Sequence, residues 1–279
     1  MEVCRTLPAL TDALDRLRAA RGAVGLVPTM GALHDGHIAL LRAAQAPEAR
    51  GAGVVASIFV NPLQFGQADD LTRYPRDEAG DLAKLESAGC DVAWLPGAET
   101  MYPPGDATRI ELTGPALRWE GDARPGHYRG VATVCAKLFG QVRPARAYFG
   151  EKDWQQVQVV TRMVHDLLLG PEIVVVSTVR ERDGLALSSR NRFLTAEERT
   201  KATLLPTTLR GLVSALRAGA PADAAVADAH ATLSENGFGV DYLALVEPET
   251  LSPTTSRPAR LIVAARLGTV RLLDTMAVD

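Results

Sequence analysis

Apolar runs alternate with helix-like segments over the first two thirds of the chain, and this alternation constrains the fold most. The run Val54–Val60 is apolar almost throughout, as expected for a parallel strand that is covered on both faces. The strand candidates are Ala23–Val27, Val54–Val60, Val92–Leu95, Ala147–Phe149 and Ile173–Val179, and the helix candidates are Ile38–Ala46, Arg76–Ala88, Gly130–Val142 and Asp153–Leu168. We therefore expect an α/β fold with helices on both faces of a parallel sheet. Ligands of such sheets bind beyond the carboxyl ends of the strands.

The pattern changes after Val179. Thr195 to Glu198 has the arrangement of a capping box, which marks the start of a helix. The helix candidates are Ala196–Ala218, bent at Pro206, and Ala222–Asn236; the strand candidates are Val240–Val246, Leu261–Ala265 and Thr269–Leu273, the last two joined as a hairpin. This pattern predicts a smaller α+β domain, so we divide the chain into domains 1–186 and 187–279.

Composition limits the possible partners. The 279 residues include 30 Lys and Arg against 33 Asp and Glu, a net charge of −3, so any anion site must be local. We expect no nucleic-acid or membrane partner and a cytoplasmic location, because neither a secretory signal nor a bilayer-spanning run is present. The three cysteines are scattered, which argues against zinc and disulfides, and Cys135 is expected in the core.

The segment from Val27 to His37 carries the strongest functional signal. It leads from a strand into a helix whose first turn holds His34 and His37, three positions apart and so on one face. A helix N-terminus offers unpaired N–H groups and the positive end of the macrodipole, which suits a nucleotide phosphate. The alternative is that both rings only cap and solvate a surface helix. The His-x-Gly-His pattern resembles the HIGH signature of adenylate-forming and nucleotidyl-transferring enzymes.

Further polar clusters follow other strands. Gln64 lies after the second strand and offers both a donor and an acceptor to a substrate with hydroxyl and carboxylate groups. Lys152 opens a helix after the fourth strand, where its ammonium could contact phosphate, with Gln156 one turn later. The loop from Val179 to Asn191 holds two serines and an arginine that could fold over a triphosphate. Each cluster alone could be a solvated surface feature. All of them follow predicted parallel strands, and this agreement favours one ligand site.

The sequence assigns no definite role to two other sets of polar residues. The segment from Gly121 to Gly130 is glycine-rich and basic, but the spacing assigns no role to His127 or Arg129. Asp69, Asp70 and Asp77 could hold a magnesium ion indirectly or could be solvated carboxylates. The sequence therefore does not identify metal ligands.

Five motifs, taken in order, resemble the pantoate–β-alanine ligase (pantothenate synthetase) family. They are Pro28–Gly31 with His34 and His37, Ser57–Gly66, Tyr74–Arg76, Phe149–Asp153 and Ser188–Asn191. The resemblance spans nearly the whole chain. It implies a carbon–nitrogen ligase that condenses (R)-pantoate with β-alanine through pantoyl adenylate and releases AMP and pyrophosphate. It also implies Mg²⁺ with the ATP, and a homodimer with a Rossmann-like, doubly wound N-terminal domain and a C-terminal lid.

The resemblance also implies roles for individual residues. The expected ATP-binding residues are Met30, Gly31, Ala32, Leu33, His34, Asp35, Gly36, His37, Gly150, Glu151, Lys152, Asp153, Val179, Leu187, Ser188, Ser189 and Arg190. His37, as proton donor, His34 and Lys152 are the expected catalytic residues, and Gln64 and Gln156 are expected to hold pantoate, with Gln64 also bordering β-alanine. The family commonly has methionine where this chain has Leu187, a change that conserves apolar volume.

Two other functions remain open from the sequence. A nucleotidyltransferase that leaves the nucleotide on its product shares the His-x-Gly-His entry, and it would release no AMP. A non-catalytic nucleotide-binding module would bind ATP without turnover. An aminoacyl-tRNA synthetase is disfavoured by the short chain and the absence of a basic anticodon-type domain.

Overall fold

The computed structural model describes residues 1–49, 51–66, 71–72 and 74–279. The strands are β1 (Glu2–Cys4), β2 (Val24–Thr29), β3 (Gly53–Ile58), β4 (Val92–Trp94), β5 (Arg146–Gly150), β6 (Glu172–Val176), β7 (Gly239–Val246), β8 (Ala259–Leu267) and β9 (Val270–Val278). The α-helices are α1 (Leu7–Arg21), α2 (Asp35–Gln45), α3 (Glu78–Ser87), α4 (Ala98–Met101), α5 (Glu120–Ala123), α6 (His127–Val142), α7 (Trp154–Asp166), α8 (Ala196–Lys201), α9 (Leu204–Arg217) and α10 (Ala222–Glu235).

The predicted α/β fold is confirmed, and the described chain divides into two compact units. Unit 1 comprises Met1–Thr113, Arg124–Gly150 and Val159–Val176. Its six strands pair in parallel in the order β1-β4-β3-β2-β5-β6. Because β3 and β4 lie on one side of β2 while β5 and β6 lie on the other, the order reverses beside β2. Such a switch point is where parallel sheets bind ligands, so the carboxyl ends of β2 and β5 are well placed for a site.

The sheet of unit 1 is buried as the apolar runs predict. Val27, Ala56 and Ala93 come from three neighbouring strands and pack with Leu41 of α2 in one core cluster, and all four are fully buried. Tyr148 of β5 belongs to the same cluster and is 2% exposed. This cluster therefore packs α2 against four neighbouring strands of the sheet.

Unit 2 comprises Gly114–Ala123, Glu151–Gln158 and Ser177–Asp279. Its antiparallel sheet has the order β7-β8-β9, and the hairpin predicted near Ala265 to Val270 is present, with Leu267 paired to Val270. Leu205, Leu209 and Leu233 of its helices share a core cluster with Leu261 and other residues of the sheet. The division of the chain into 1–186 and 187–279 stays a prediction.

Three local expectations differ from the structure. The expected helix Ala196–Ala218 is not bent at Pro206 but is broken between α8 and α9; Pro206 lies in the first turn of α9, where a missing N–H costs little. The strand expected to reach Val179 ends at Val176, because Val179 accepts a backbone hydrogen bond from Leu187 in a loop. The sequence patterns also omit β1 and α1.

Candidate active site

The segment that follows β2 is held by a buried carboxylate from α3. Asp81 is 1% exposed, and its two oxygens accept hydrogen bonds of 2.7 Å from the backbone N–H groups of Ala32 and Leu33. Lys84, one turn later, donates to the Leu33 carbonyl at 2.8 Å. Gly31 has φ +83°, and a Cβ there would lie 2.8 Å from the Asp81 carboxylate. The close approach therefore needs glycine at position 31.

The same carboxylate supports an unusual backbone conformation. Ala32 has φ +51°, in the left-handed region that non-glycine residues rarely adopt. The two bonds to Asp81 keep the amides of this turn pointed at α3 and so offset that cost. Sequence reasoning missed Asp81 and Lys84, whose contacts join residues about 50 positions apart.

His34 and His37 form a capping pair at the start of α2. The His34 Nδ1 accepts from the Gly36 N–H at 3.1 Å, and the His37 Nδ1 accepts from the His34 N–H at 3.2 Å. A backbone N–H can only donate, so each Nδ1 acts as an acceptor and carries no proton in this arrangement. The ring centroids are 4.1 Å apart. Both rings therefore cap the start of α2 through Nδ1.

The segment after β3 is fixed against α6. Gln64 is 8% exposed, and its backbone carbonyl accepts from the Arg124 guanidinium at 3.1 Å and from His127 Nδ1 at 2.9 Å. A Cβ at Gly130 of α6 would lie 2.3 Å from the Leu63 carbonyl oxygen, so only glycine permits this packing. The structure thus places His127 beside the backbone of a predicted substrate residue.

The segment after β5 is held within unit 2. The Glu151 carboxylate accepts from Arg260 Nη1 at 2.9 Å and from the Thr178 N–H at 3.2 Å. The Arg260 guanidinium lies 3.6 Å from the centre of the Trp154 ring, which favours a cation–π interaction. Sequence reasoning missed Arg260, a buried cation on β8 that fixes the position of Glu151.

Lys152 and the glutamines of α7 have different surroundings. Lys152 Nζ lies 3.0 Å from Asp153 Oδ1, and the two side chains are 19% and 39% exposed. Gln155 is buried and structural, since its amide binds the backbone of Glu120 and of the residues just before it. Gln156, the predicted substrate residue, is half-buried. The contact of Lys152 with a phosphate stays a prediction.

The loop that carries the predicted serines and arginine is ordered by its own backbone. Leu187 donates to the Val179 carbonyl at 3.0 Å, which joins two predicted ATP-binding residues. Ser188 Oγ accepts from the Arg190 N–H at 3.3 Å and caps a short 3₁₀ turn, Ser189–Phe193. The structure therefore groups Val179 with Leu187–Arg190 in unit 2, and Met30–His37 with Gln64 and Gly150 in unit 1. That the two groups serve one nucleotide stays a prediction.

Comparison with known proteins identifies the family. The sequence profile of the pantoate-beta-alanine ligase family matches residues 2–277. The chain belongs to this family. The curated pantothenate synthetase of Acidiphilium cryptum is 58% identical over 281 residues, covering 100% of both chains. That of Granulibacter bethesdensis is 56% identical, covering 99% of this chain and 96% of the relative.

Solved structures of the ligase family agree with this assignment. The pantothenate synthetase of Thermus thermophilus superposes with a TM-score of 0.90 at 49% identity, covering 100% of this chain and 99% of that one. The Francisella tularensis pantoate-beta-alanine ligase, complexed with beta-gamma ATP and beta-alanine, superposes with a TM-score of 0.85 at 32% identity. The match covers 99% of this chain and 97% of the Francisella chain. These findings confirm the predicted family and support the ligase function rather than the nucleotidyltransferase alternative.

The described residues of this ligase build no metal cage of their own. Within them, no three His, Cys, Asp or Glu side chains are grouped so that they could hold an ion. Asp77 instead caps α3 by accepting from the Gly80 N–H at 3.0 Å, while Asp69 and Asp70 lie outside the described residues. The Mg²⁺ ligands therefore stay unassigned.

The three cysteines of the ligase are buried, which confirms the expected core position of Cys135. Burial raises the pKa of Cys90 to about 11 and that of Cys135 to about 12, so both thiols are protonated at neutral pH. A protonated thiol is a poor nucleophile, which removes both from the reaction. No helix in the described part of the chain has the length and apolar character needed to cross a bilayer.

Proposed function

We propose that the chain condenses (R)-pantoate with β-alanine to pantothenate in two ATP-dependent steps. In the first step, a pantoate carboxylate oxygen attacks the α-phosphorus of ATP, and the bond to the bridging oxygen breaks so that pyrophosphate leaves with the electron pair. In the second step, the β-alanine amine attacks the acyl carbon, loses a proton and displaces AMP. The adenylate is needed because a free carboxylate has no adequate leaving group.

One observation carries the proposal: two imidazoles, whose ring centroids are 4.1 Å apart, lie together at the start of α2, directly after the strand beside which the sheet order reverses. Negative charge grows on the α-phosphoryl oxygens and on the departing pyrophosphate during the first step. Positioned donors and cations stabilise that charge more than a strong base would. We assign this role to the ring nitrogens Nε2 of His34 and His37, since each Nδ1 is used to cap the helix.

The remaining roles are proposed from the family's motifs. His37, His34 and Lys152 act on the phosphates, and Gln64 and Gln156 hold pantoate. The ATP site comprises Met30, Gly31, Ala32, Leu33, His34, Asp35, Gly36, His37, Gly150, Glu151, Lys152, Asp153, Val179, Leu187, Ser188, Ser189 and Arg190. The support is the match of family motifs at these positions and, for ATP and β-alanine, the ligands named for the Francisella relative. Any Mg²⁺ would enter with ATP, held chiefly by phosphate oxygens and water.

A cytoplasmic homodimer with a closing lid completes the proposal. The edge strand β6 and the turn before it expose apolar side chains: Val175 is 40% exposed, Leu167 50% and Leu168 91%. A second copy that covered these groups would remove apolar area from water. We propose that domain 187–279 closes over domain 1–186, since exclusion of water would protect the adenylate from hydrolysis.

Isotope exchange tests the proposed reaction. With pantoate and without β-alanine, the protein should move labelled pyrophosphate into ATP; with β-alanine, it should release AMP and pantothenate in equal amounts. A nucleotidyltransferase that retains the nucleotide would release no AMP, and a binding module would show neither signal. Absence of pantoate-dependent exchange in protein that binds ATP would overturn the proposal.

A further inference from the structure

Asn61 has a side-chain amide whose orientation is fixed by the backbone. Its Oδ1 accepts from the Leu63 N–H at 3.3 Å, and its Nδ2 donates to the Gly130 carbonyl at 3.1 Å. An N–H can only donate and a carbonyl can only accept, so these two partners exclude the flipped amide. Asn61 is 1% exposed, so a flipped amide would leave buried polar groups without hydrogen-bond partners, at a cost in free energy.

The fixed amide of Asn61 in turn orients Gln64. The second hydrogen of Asn61 Nδ2 points to the Gln64 side chain at 3.0 Å, so the Gln64 atom that faces it must be the acceptor Oε1. Gln64 Nε2 is then directed the other way, where it lies 3.0 Å from the sulfur of Met30. A thioether is a weak acceptor, which a substrate oxygen could replace. Gln64 therefore presents its Nε2–H donor on the side of Met30.

Tyr102 completes the set of bonds around Asn61. Its hydroxyl donates to Asn61 Oδ1 at 2.7 Å, the shortest of the four bonds that saturate this amide. Burial raises the pKa of Tyr102, so the phenol keeps the proton that it donates. The Lys137 ammonium lies 5.0 Å from the centre of the Tyr102 ring, and the Arg109 guanidinium lies 5.6 Å away.

The two cations are themselves held in place. Asp106 accepts hydrogen bonds from both Lys137 and Arg109, and its carboxyl pKa is lowered, chiefly by the Lys137 bond. Tyr102 is thus fixed by charged groups beside its ring and by Asn61 at its hydroxyl. The whole chain of contacts, from Asp106 to Gln64, lies within unit 1.

We propose that Tyr102 is a positioning residue that, acting through Asn61, holds Gln64 as a hydrogen-bond donor to an oxygen of pantoate. The inference rests on the proposed function, because it takes pantoate as the ligand of Gln64. Without the tyrosine hydroxyl, Asn61 Oδ1 keeps only the 3.3 Å bond from Leu63. With one bond fewer, the amide of Asn61 is held less rigidly by Leu63 and Gly130, and Gln64 is positioned less well as a donor to pantoate.

Substitution Tyr102→Phe tests this role, with Tyr148→Phe as the matched control. Tyr148 is also a buried tyrosine of unit 1, but it packs in the core of the sheet. In the pyrophosphate exchange assay, Tyr102→Phe should raise the KM for pantoate about fivefold to tenfold, the value of one hydrogen bond, and leave the KM for ATP within twofold. Tyr148→Phe should change neither KM. An equal rise in both KM values, or no rise for pantoate, would overturn the proposal.

A second variant tests the donor assignment independently of Tyr102. Gln64→Glu keeps the shape of the side chain but places an acceptor where the Nε2 donor lies, so pantoate binding measured by calorimetry should weaken about 100-fold or more, as expected when a ligand oxygen meets a charged acceptor. Adding Tyr102→Phe to Gln64→Glu should weaken it no further, since both act on one contact. Full retention of pantoate binding by Gln64→Glu would refute the donor assignment. A wild-type protein without pantoate-dependent exchange would instead refute the proposed function.

Discussion

The buried carboxylate of Asp81 should be among the most sensitive positions of unit 1. Asp81→Ala leaves the N–H groups of Ala32 and Leu33 buried without acceptors, at about 1–3 kcal/mol each. Release of the left-handed conformation of Ala32, which costs on the order of 1–3 kcal/mol, offsets part of this loss. We therefore expect the free energy of unfolding to fall by about 2–4 kcal/mol in urea titrations followed by circular dichroism.

The same variant should also impair nucleotide binding. The loop that Asp81 holds leads directly to His34, so the KM for ATP should rise about tenfold or more in the exchange assay, the equivalent of one lost charge-assisted contact. Asp77→Ala is the control, because it removes a single exposed cap from the same helix and should cost only about 1 kcal/mol. Asp81→Asn keeps one acceptor and should fall between the two. If Asp81→Ala were no less stable than Asp77→Ala, the argument that the carboxylate holds this loop would be wrong.

Three further predictions follow from the site. His37→Ala and Lys152→Ala should each lower the rate of adenylate formation by about 10²–10³, measured by single-turnover release of pyrophosphate, as expected for loss of one positioned donor; wild-type kinetics in either would remove that residue from the mechanism. Cys90 and Cys135, whose pKa values are raised by burial, should react with thiol reagents at neutral pH only after unfolding, and rapid modification of the native protein would contradict this. Arg260→Met keeps the packing but removes the partner of Glu151, and it should cost about 2 kcal/mol in urea unfolding; an unchanged midpoint would show that this ion pair contributes nothing.

Strands and helices that produce a local repeat of apolar residues could be predicted from the sequence. Continuous apolar runs such as Val54–Val60 identify buried parallel strands without any knowledge of their neighbours. The segments after β2 and β5 could be assigned to one edge because carboxyl ends of parallel strands share an edge. Helix α1 was missed although it carries local signals: Thr6 caps it, Pro8 lies in its first turn, and Leu10, Ala13 and Leu14 are buried at helical spacing.

The supporting residues could not be predicted in the same way. Asp81 reads as one of several carboxylates in an exposed helix until tertiary packing places it under the amides of residues 32 and 33. Tyr102 meets Asn61 across 41 positions, and Arg260 meets Glu151 across 109. No local pattern marks such contacts, because a single bond between distant segments imposes no repeat on the sequence.

Capping and phosphate binding, which compete as explanations of the histidine pair, are compatible in the structure. Ser, Asn or Asp caps a helix better than most residues, so capping alone gives no reason for an imidazole at position 34. A serine hydroxyl or an aspartate oxygen that accepts the backbone N–H leaves little to offer a ligand beyond the helix end. An imidazole that uses Nδ1 for the cap has a second ring nitrogen, Nε2, on the far side of the ring, and we propose that this nitrogen of His34 faces the nucleotide. His34→Asn should therefore preserve the stability of α2 while weakening ATP binding, and a variant that kept wild-type affinity for ATP would show that the ring serves only as a cap.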